Sequence, residues 1–198
     1  MPPDRLPPID AAWREAVAEM VRRIAGSLAG APRERLPVRM YIAGGAALHF
    51  HTGARISMDV DASFSHRFAL PEDLEVSFPG EDGAARLVYF DHNYNDSFAL
   101  MHEQAHDDAL PLELPGVDRA VLDVRVLSPL DLAVSKLARF GSQDREDIAT
   151  LARAGLIDAR ALRRRAEEAL ASYVGDVGKL RNSIDIACRI VDSNSVRA

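Results

Sequence analysis

Apolar positions recur along this chain at two different periods, and the change between them divides it. The first ten residues carry four prolines and predict an irregular lead-in. Ala12, Val17, Met20, Val21 and Ile24 then recur at helical spacing behind Asp10, a carboxylate suited to cap a helix running to about Leu28. Gly30 and Pro32 end that helix. Val38 to Ala43 predicts a strand, and Gly44 begins a sharp turn into a helix at Ala46 to His51. Met58 to Phe64 predicts a second strand, and Leu74 to Phe78 with Arg86 to Phe90 a β-hairpin around Pro79-Gly80 to Gly83. Ser97 to Met101, Leu110 to Leu114 and Ala120 to Leu127 are further strand candidates. From Ser128 the period is helical, with Ser128 as cap and Pro129 in the first turn. Helices are expected over Leu130 to Phe140, Asp144 to Ala154, Ala159 to Tyr173 and Val177 to Val191, punctuated by Gly141, Gly155 and Gly175.

The expected fold is therefore α+β. A small mixed β-sheet core with flanking helices spans residues 1–127, and a C-terminal helical bundle, residues 128–198, packs on it. A hydrophobic fraction of 47% and a charged fraction of 27% fit an ordinary soluble domain, and no stretch approaches the ~18 apolar residues of a membrane span. With no signal-peptide core at the N-terminus, the expectation is a cytoplasmic protein without a membrane partner. A net charge of -6 argues against a basic nucleic-acid glove. The exceptions are local: an acidic stretch from Asp91 to Asp118 and a basic run, Arg163-Arg164-Arg165. The single cysteine, Cys188, excludes an internal disulfide, fits a reducing compartment, and falls in an apolar helical pattern that predicts a buried, inert thiol.

Chemistry is concentrated in YIAGGAALHFHTGARISMDVDASF, Tyr41 to Phe64. Side chains alternate along a strand, so Asp59 and Asp61 project from one face while Met58, Val60 and Ala62 face the other way. Their mutual repulsion is relieved by a hard divalent cation such as Mg²⁺, which takes carboxylate oxygens, waters and substrate phosphates. Gly44 and Gly45, lacking Cβ atoms, let a phosphate approach a helix start that offers free N–H groups and a positive dipole end. Arg55 is placed to reach a phosphate oxygen. The bland alternative is a plain strand-to-helix turn beside two solvated carboxylates. The combination on strand–turn–helix–strand favours a phosphoryl or nucleotidyl transfer site.

GGAALHFHTGARISMDVDA resembles the signature of the polymerase-beta-type nucleotidyltransferase superfamily: a glycine pair, then Asp-x-Asp on the next strand. LSPLDLAVSKLARFGSQDREDIATL, with its Lys-x-x-Arg and Asp-x-x-Asp, resembles the corresponding segment of bacterial nucleotidyltransferase-like proteins related to the abortive-infection toxins of type IV toxin–antitoxin systems. Together the likeness covers roughly Val38 to Leu156. It implies that Gly44 and Gly45 contact nucleotide phosphates and that Asp59 and Asp61 hold Mg²⁺ in a two-metal site. It further implies that Lys136 binds triphosphate with help from Arg139, and that Asp144 or Asp147 completes the acidic site. Lys136 and Arg139 share a helix face by spacing, as do Asp144 and Asp147; surface ion pairs between adjacent helices are the alternative reading. Ala46 stands where many relatives carry Ser or Thr, and Ser57, on the Asp59 face, is the hydroxyl that compensates. The third strand carboxylate of the superfamily falls to Asp123, in AVLDVRVL, with Asp91 as its rival.

Other candidates carry less. His49 and His51 are two apart on a helix and face different ways, which disfavours chelation. His92, His102 and His106 lie in an acidic segment that reads as solvated loop, with zinc as the lesser alternative. Asp91, Asn93, Tyr94, Asn95 and Asp96 are candidates to line a nucleotide pocket, Tyr94 stacking on a base. The basic run reads as a solvated helix face, and is the first patch to test if RNA is the acceptor. The leading expectation is a Mg²⁺-dependent enzyme moving a nucleoside monophosphate from a nucleoside triphosphate to an RNA (tRNA) or protein acceptor, with a toxin–antitoxin role and an antitoxin partner. Its rivals are a catalytically weak nucleotide-binding module acting through a partner, and a metal-dependent phosphohydrolase using the three histidines.

Overall fold

In a computed structural model of the chain, which describes residues 8–80, 82–95 and 99–195, these periodicities become six α-helices and seven strands among the described residues. The fold is α+β, and it divides into two compact units. One takes in Ile9–Tyr94 and Ala109–Val126 and holds the strands; the other gathers Asn95–Asp108 with Leu127–Ala198. Asn95–Asp108 interrupts the strands in sequence yet groups with the helices.

In the sheet unit, Asp10 accepts the Trp13 amide at 2.7 Å and so starts α1, Ala11–Ser27. Trp13, Val17, Met20, Val21 and Ile24 form its fully buried stripe. Burial of side chains this size contributes roughly 1.5–3 kcal/mol each. The strands are β1 (Val38–Ile42), β2 (Asp59–Val60), β3 (Ala62–Phe64), β4 (Glu75–Pro79), β5 (Ala85–Phe90), β6 (Leu110–Pro111) and β7 (Leu122–Val126), with α2 (Gly44–Thr52) after β1. β1 pairs antiparallel with β3 and parallel with β7, and β6 closes that edge. β2 pairs parallel with β5, which is antiparallel to β4. β2 and β3 are parts of one segment, parted only at Asp61. That segment joins both sheets, giving the order β4-β5-β2/β3-β1-β7-β6. Met40, Tyr41 and Ile42 of β1 are all buried, as befits a central strand covered on both faces.

The helical unit holds α3 (Pro129–Ser135), α4 (Ser142–Arg153), α5 (Ala159–Ala169) and α6 (Val177–Asn194). Ser128, Asp158 and Asp176 cap α3, α5 and α6 as acceptors of main-chain N–H groups. Leu132, Leu137, Ile148, Leu151, Leu162, Ile184 and Val191 form its core. Cys188 is buried there, and burial pushes its thiol up.

Three expectations need correction. The helix expected to reach Phe140 stops at Ser135, because Lys136 and Leu137 donate to carbonyls only three residues back and tighten the last turn. The strand expected at Leu110 to Leu114 shortens to two residues, since Pro111 has no N–H for a ladder. The strand expected from Ser97 begins outside the described residues, and Ala99 to Met101 are not in a strand. The proline-rich lead-in up to Pro7 also lies outside them.

Candidate functional site

The glycine pair starts α2 rather than preceding it. Gly44 has a φ of 57°, a left-handed backbone that favours glycine. A Cβ there would lie 1.7 Å from Asp61 Oδ2, so the Asp61 carboxylate rests directly against the helix start. A Cβ on Gly45 would lie 2.3 Å from Ser57 Oγ and 3.1 Å from an Arg55 Nη1. Ser57, itself buried, donates its hydroxyl hydrogen to Asp59 Oδ1 at 2.5 Å. Glycine pair, Arg55, Ser57, Asp59 and Asp61 thus form one constellation.

Its loop is held from beneath. The Trp13 indole N–H donates to the Ser57 carbonyl at 2.8 Å. His49 packs edge-on against Trp13 at 4.6 Å, its Nδ1 lies 2.7 Å from the Ala54 carbonyl, and its Nε2 accepts the Asp10 amide at 3.2 Å. A ring that accepts an amide on Nε2 carries its proton on Nδ1 and donates it to Ala54. His49 is thus a buried brace for the loop bearing Arg55 and Ser57. Nothing in the local pattern points to Trp13 in this role beyond its being the only tryptophan.

Strand register sorts the remaining carboxylates. Asp59 pairs with Tyr89 and Val60 with Phe90, and the Asp91 amide donates to the Val60 carbonyl at 3.1 Å. The ladder stops there: past Val60 the segment turns to pair with β1, and Asp91 follows the end of β5, the strand next to β2. Asp123 is placed differently. It pairs with Arg39, while Asp61 lies past the other end of β1, beside Ala43. Two strands and four residue steps amount to about 16 Å between them. Asp123 accepts from Arg125 at 2.8 Å and from Arg119 at 3.1 Å. Partial burial pushes its carboxyl up, but these two guanidiniums outweigh it and hold it below the usual carboxylate range. The register sets Asp123 apart from Asp59 and Asp61, while Asp91 lies just past the strand that pairs with β2.

The Lys-x-x-Arg and Asp-x-x-Asp residues meet in the helical unit, although Lys136 and Arg139 lie in the turn after α3 rather than on one helix face. Lys136 Nζ donates to Asp147 Oδ2 at 2.6 Å and lies 3.9 Å from Asp144 Oδ1. Arg139 grips Asp144 with two bonds of 2.8 and 2.7 Å, Gly141 N–H adds a third, and Gln143 donates to Asp147. Burial pushes the Asp144 carboxyl up, but Arg139, the Gly141 amide and Lys136 together hold it below the usual range. Lys136, Asp144 and Asp147 are buried, so this is an internal ion-pair network.

The basic run is only partly a solvated face. Arg165 bonds Asp131 at 2.8 Å and Asp108 at 2.5 Å, and Arg163 bonds Asp185 at 2.8 Å. His102 lies 3.5 Å from Glu168. Among the described residues no three His, Cys, Asp or Glu side chains are grouped to hold a metal ion by themselves. Asp96, a candidate pocket residue, lies outside the described residues. Among those described, no helix is long and apolar enough to cross a membrane.

A glycine-started helix with Asp-x-Asp on the adjoining strand defines a nucleotidyltransferase-like protein. The chain belongs to a family of nucleotidyltransferases of unknown function, DUF6036, whose model matches residues 27–187. No curated protein and no solved structure matches it.

Proposed function

We propose that the chain is a Mg²⁺-dependent nucleotidyltransferase that moves a nucleoside monophosphate from a nucleoside triphosphate to an RNA end or a protein hydroxyl. The observation that carries this reading is the fit at the start of α2, where any side chain on Gly44 or Gly45 would displace Asp61 or Ser57. Glycine there lets the Asp61 carboxylate and the Ser57 hydroxyl stand against a helix start, so that a hard-oxygen donor pair suited to Mg²⁺ adjoins N–H groups suited to phosphate. Two carboxylates complete a Mg²⁺ site together with water and phosphate oxygens.

In this reading the N–H groups at the start of α2 hold the β- and γ-phosphates, and Arg55 adds a charged donor. Ser57, against Gly45, supplies the hydroxyl that Ala46 lacks. Asp59 and Asp61 would hold Mg²⁺, which would supply charge to neutralise the triphosphate and lower the pKa of the attacking hydroxyl. Asp91, just past the strand that pairs with β2, takes the acceptor's proton. The acceptor oxygen bonds to the α-phosphorus, the bond to the β-phosphate breaks, and pyrophosphate leaves. Wild-type protein incubated with labelled triphosphates, Mg²⁺ and cell RNA or protein transfers label, and the Asp59→Ala/Asp61→Ala protein does not. No transfer, and no triphosphate binding beyond that of the double variant, would refute it.

A toxin–antitoxin role is the biological setting we infer from the Lys136 to Asp147 motif: expression arrests growth, and Asp61→Ala relieves the arrest. Ala46, fully buried at the start of α2, favours a second reading, a nucleotide-binding module that acts through a partner. Nucleotide binding without turnover, in a protein that co-purifies with a partner, would select it.

A further inference from the structure

β4 and β5 form a hairpin whose register sorts its two faces. Val76 lies opposite Val88 and Phe78 opposite Arg86, and these side chains, with Phe90 and its β2 partner Val60, are buried or half-buried. Glu75 lies opposite Tyr89, Ser77 opposite Leu87 and Pro79 opposite Ala85, and all six are exposed on the other face. Tyr89 is also the partner of Asp59 in the parallel ladder, so its side chain projects from the same face as that carboxylate, one strand away. The open face of the hairpin is therefore continuous with the carboxylate site. All of these residues belong to the sheet unit.

Its composition suits a polypeptide. Of the five large apolar side chains exposed among the described residues, Leu87 and Tyr89 lie here, two apart on one strand and so neighbours on one face. Tyrosine is enriched at the centres of protein interfaces, where charge is depleted. None of the six residues is Lys or Arg, and their one charge is Glu75. A nucleic acid is held by cations set against its phosphates. This face offers a carboxylate instead, and Asp59 beside it adds another. Its complement is a polypeptide with an apolar side chain for Tyr89 and Leu87 and a cationic one for Glu75.

Reaction geometry decides what that polypeptide does there. Across the sheet the order runs from β1, which leads into the glycine pair, through the β2/β3 segment to β5 and then β4. In phosphoryl transfer the attacking and leaving oxygens lie roughly in line, on opposite sides of the phosphorus. Pyrophosphate leaving on the glycine side sets the attacking hydroxyl on the β5 side, where Tyr89 stands. We propose that the open face of the β4–β5 hairpin, centred on Tyr89 and Leu87, seats the acceptor, and that the acceptor is a serine, threonine or tyrosine hydroxyl of a partner protein. The hydroxyl oxygen bonds to the α-phosphorus, and the bond from that phosphorus to its bridging oxygen breaks. Pyrophosphate leaves, and the hydroxyl proton passes to Asp91, just past the end of β5. The proposal rests on the nucleotidyltransferase reading above and narrows its acceptor to protein.

Transfer of label from α-labelled ATP, GTP, CTP and UTP with Mg²⁺ tests it, offered separately to RNase-treated cell protein and to protein-free cell RNA. Wild type labels protein and leaves RNA unlabelled. Tyr89→Ala and Leu87→Asp each lower protein labelling by about tenfold or more, the scale of losing an interface anchor, and leave triphosphate binding unchanged. Tyr89→Phe retains the labelling, and thermal melts confirm that these exposed-site variants are folded. Label confined to RNA or to the chain itself overturns the proposal while leaving the transferase reading in place. So does labelling of protein at the wild-type rate by both Tyr89→Ala and Leu87→Asp. Triphosphate binding with no label on any macromolecule, or no triphosphate binding at all, overturns both.

Discussion

The sheet unit and the helical unit each gather aspartates around a cation or a place for one, and they do so to opposite ends. In the helical unit the Asp144 and Asp147 side chains are 2% and 1% exposed, and Lys136 and Arg139 meet them at 2.6–2.8 Å. In the sheet unit Asp59 and Asp61 are half-buried, and glycine backbone stands where side chains would otherwise crowd them. The first arrangement is complete within the chain. The second sets its carboxylates and a hydroxyl directly against glycine backbone at a helix start. Both motifs are closely spaced aspartate pairs; what distinguishes them is burial, and in the sheet unit a left-handed Gly44 backbone directly against Asp61.

The largest test of this contrast is Lys136→Met. It leaves Asp147 buried without its ammonium, which costs about 3–5 kcal/mol of stability in urea denaturation. Adding Asp147→Leu restores most of that loss, since both partners are then apolar. If Lys136 instead serves the triphosphate, Lys136→Met abolishes nucleotide binding while stability holds, and the contrast between the two units collapses.

Legibility in the sequence followed the range of the interactions. The glycine pair, Asp-x-Asp and the helix starts at Asp10 and Ser128 were readable because turn chemistry, capping and strand alternation act within a few residues. The choice between Asp123 and Asp91 was not, because it depends on which strands are neighbours. Asp123 sits on a well-patterned strand, yet Arg119 and Arg125 occupy it, and only the parallel pairing of β2 with β5 brings the strand that leads to Asp91 next to Asp59. The same holds for Lys136. Its helical spacing to Arg139 suggested a shared face, whereas both reach their aspartates from a turn that ends in a positive-φ residue, Phe140.

Gly44→Ala is the next largest perturbation and acts on the open site. Its methyl would overlap Asp61 Oδ2 and force an alanine into the left-handed region. A strained residue of this kind costs roughly 1–3 kcal/mol. Label transfer should fall further than this loss explains, since the displaced carboxylate is a proposed metal ligand. A variant that folds less stably but transfers label at the wild-type rate would show that the cradle is only a turn.

The smallest effect belongs to Arg139→Gln, and its pH dependence is the informative part. The Arg139 side chain is 79% exposed, so solvent screening limits its ion pair with Asp144 to under ~1 kcal/mol despite the two-bond geometry. Asp144 lies below its ordinary value of 3.8 in the folded chain, so protonation favours unfolding and the pair stabilises only while the carboxylate is charged. The stability gap between wild type and variant should be full near neutral pH, begin to close as pH falls through that ordinary value, and vanish below the lowered native one. Salt at about 1 M should shrink the same gap, because the guanidinium is in solvent. Lys136, enclosed with both aspartates, should show little such salt sensitivity. A gap for Arg139→Gln that is unchanged by acid and salt would mean that the arginine acts through packing, and that the network is closed by Lys136, Gln143 and the Gly141 amide alone.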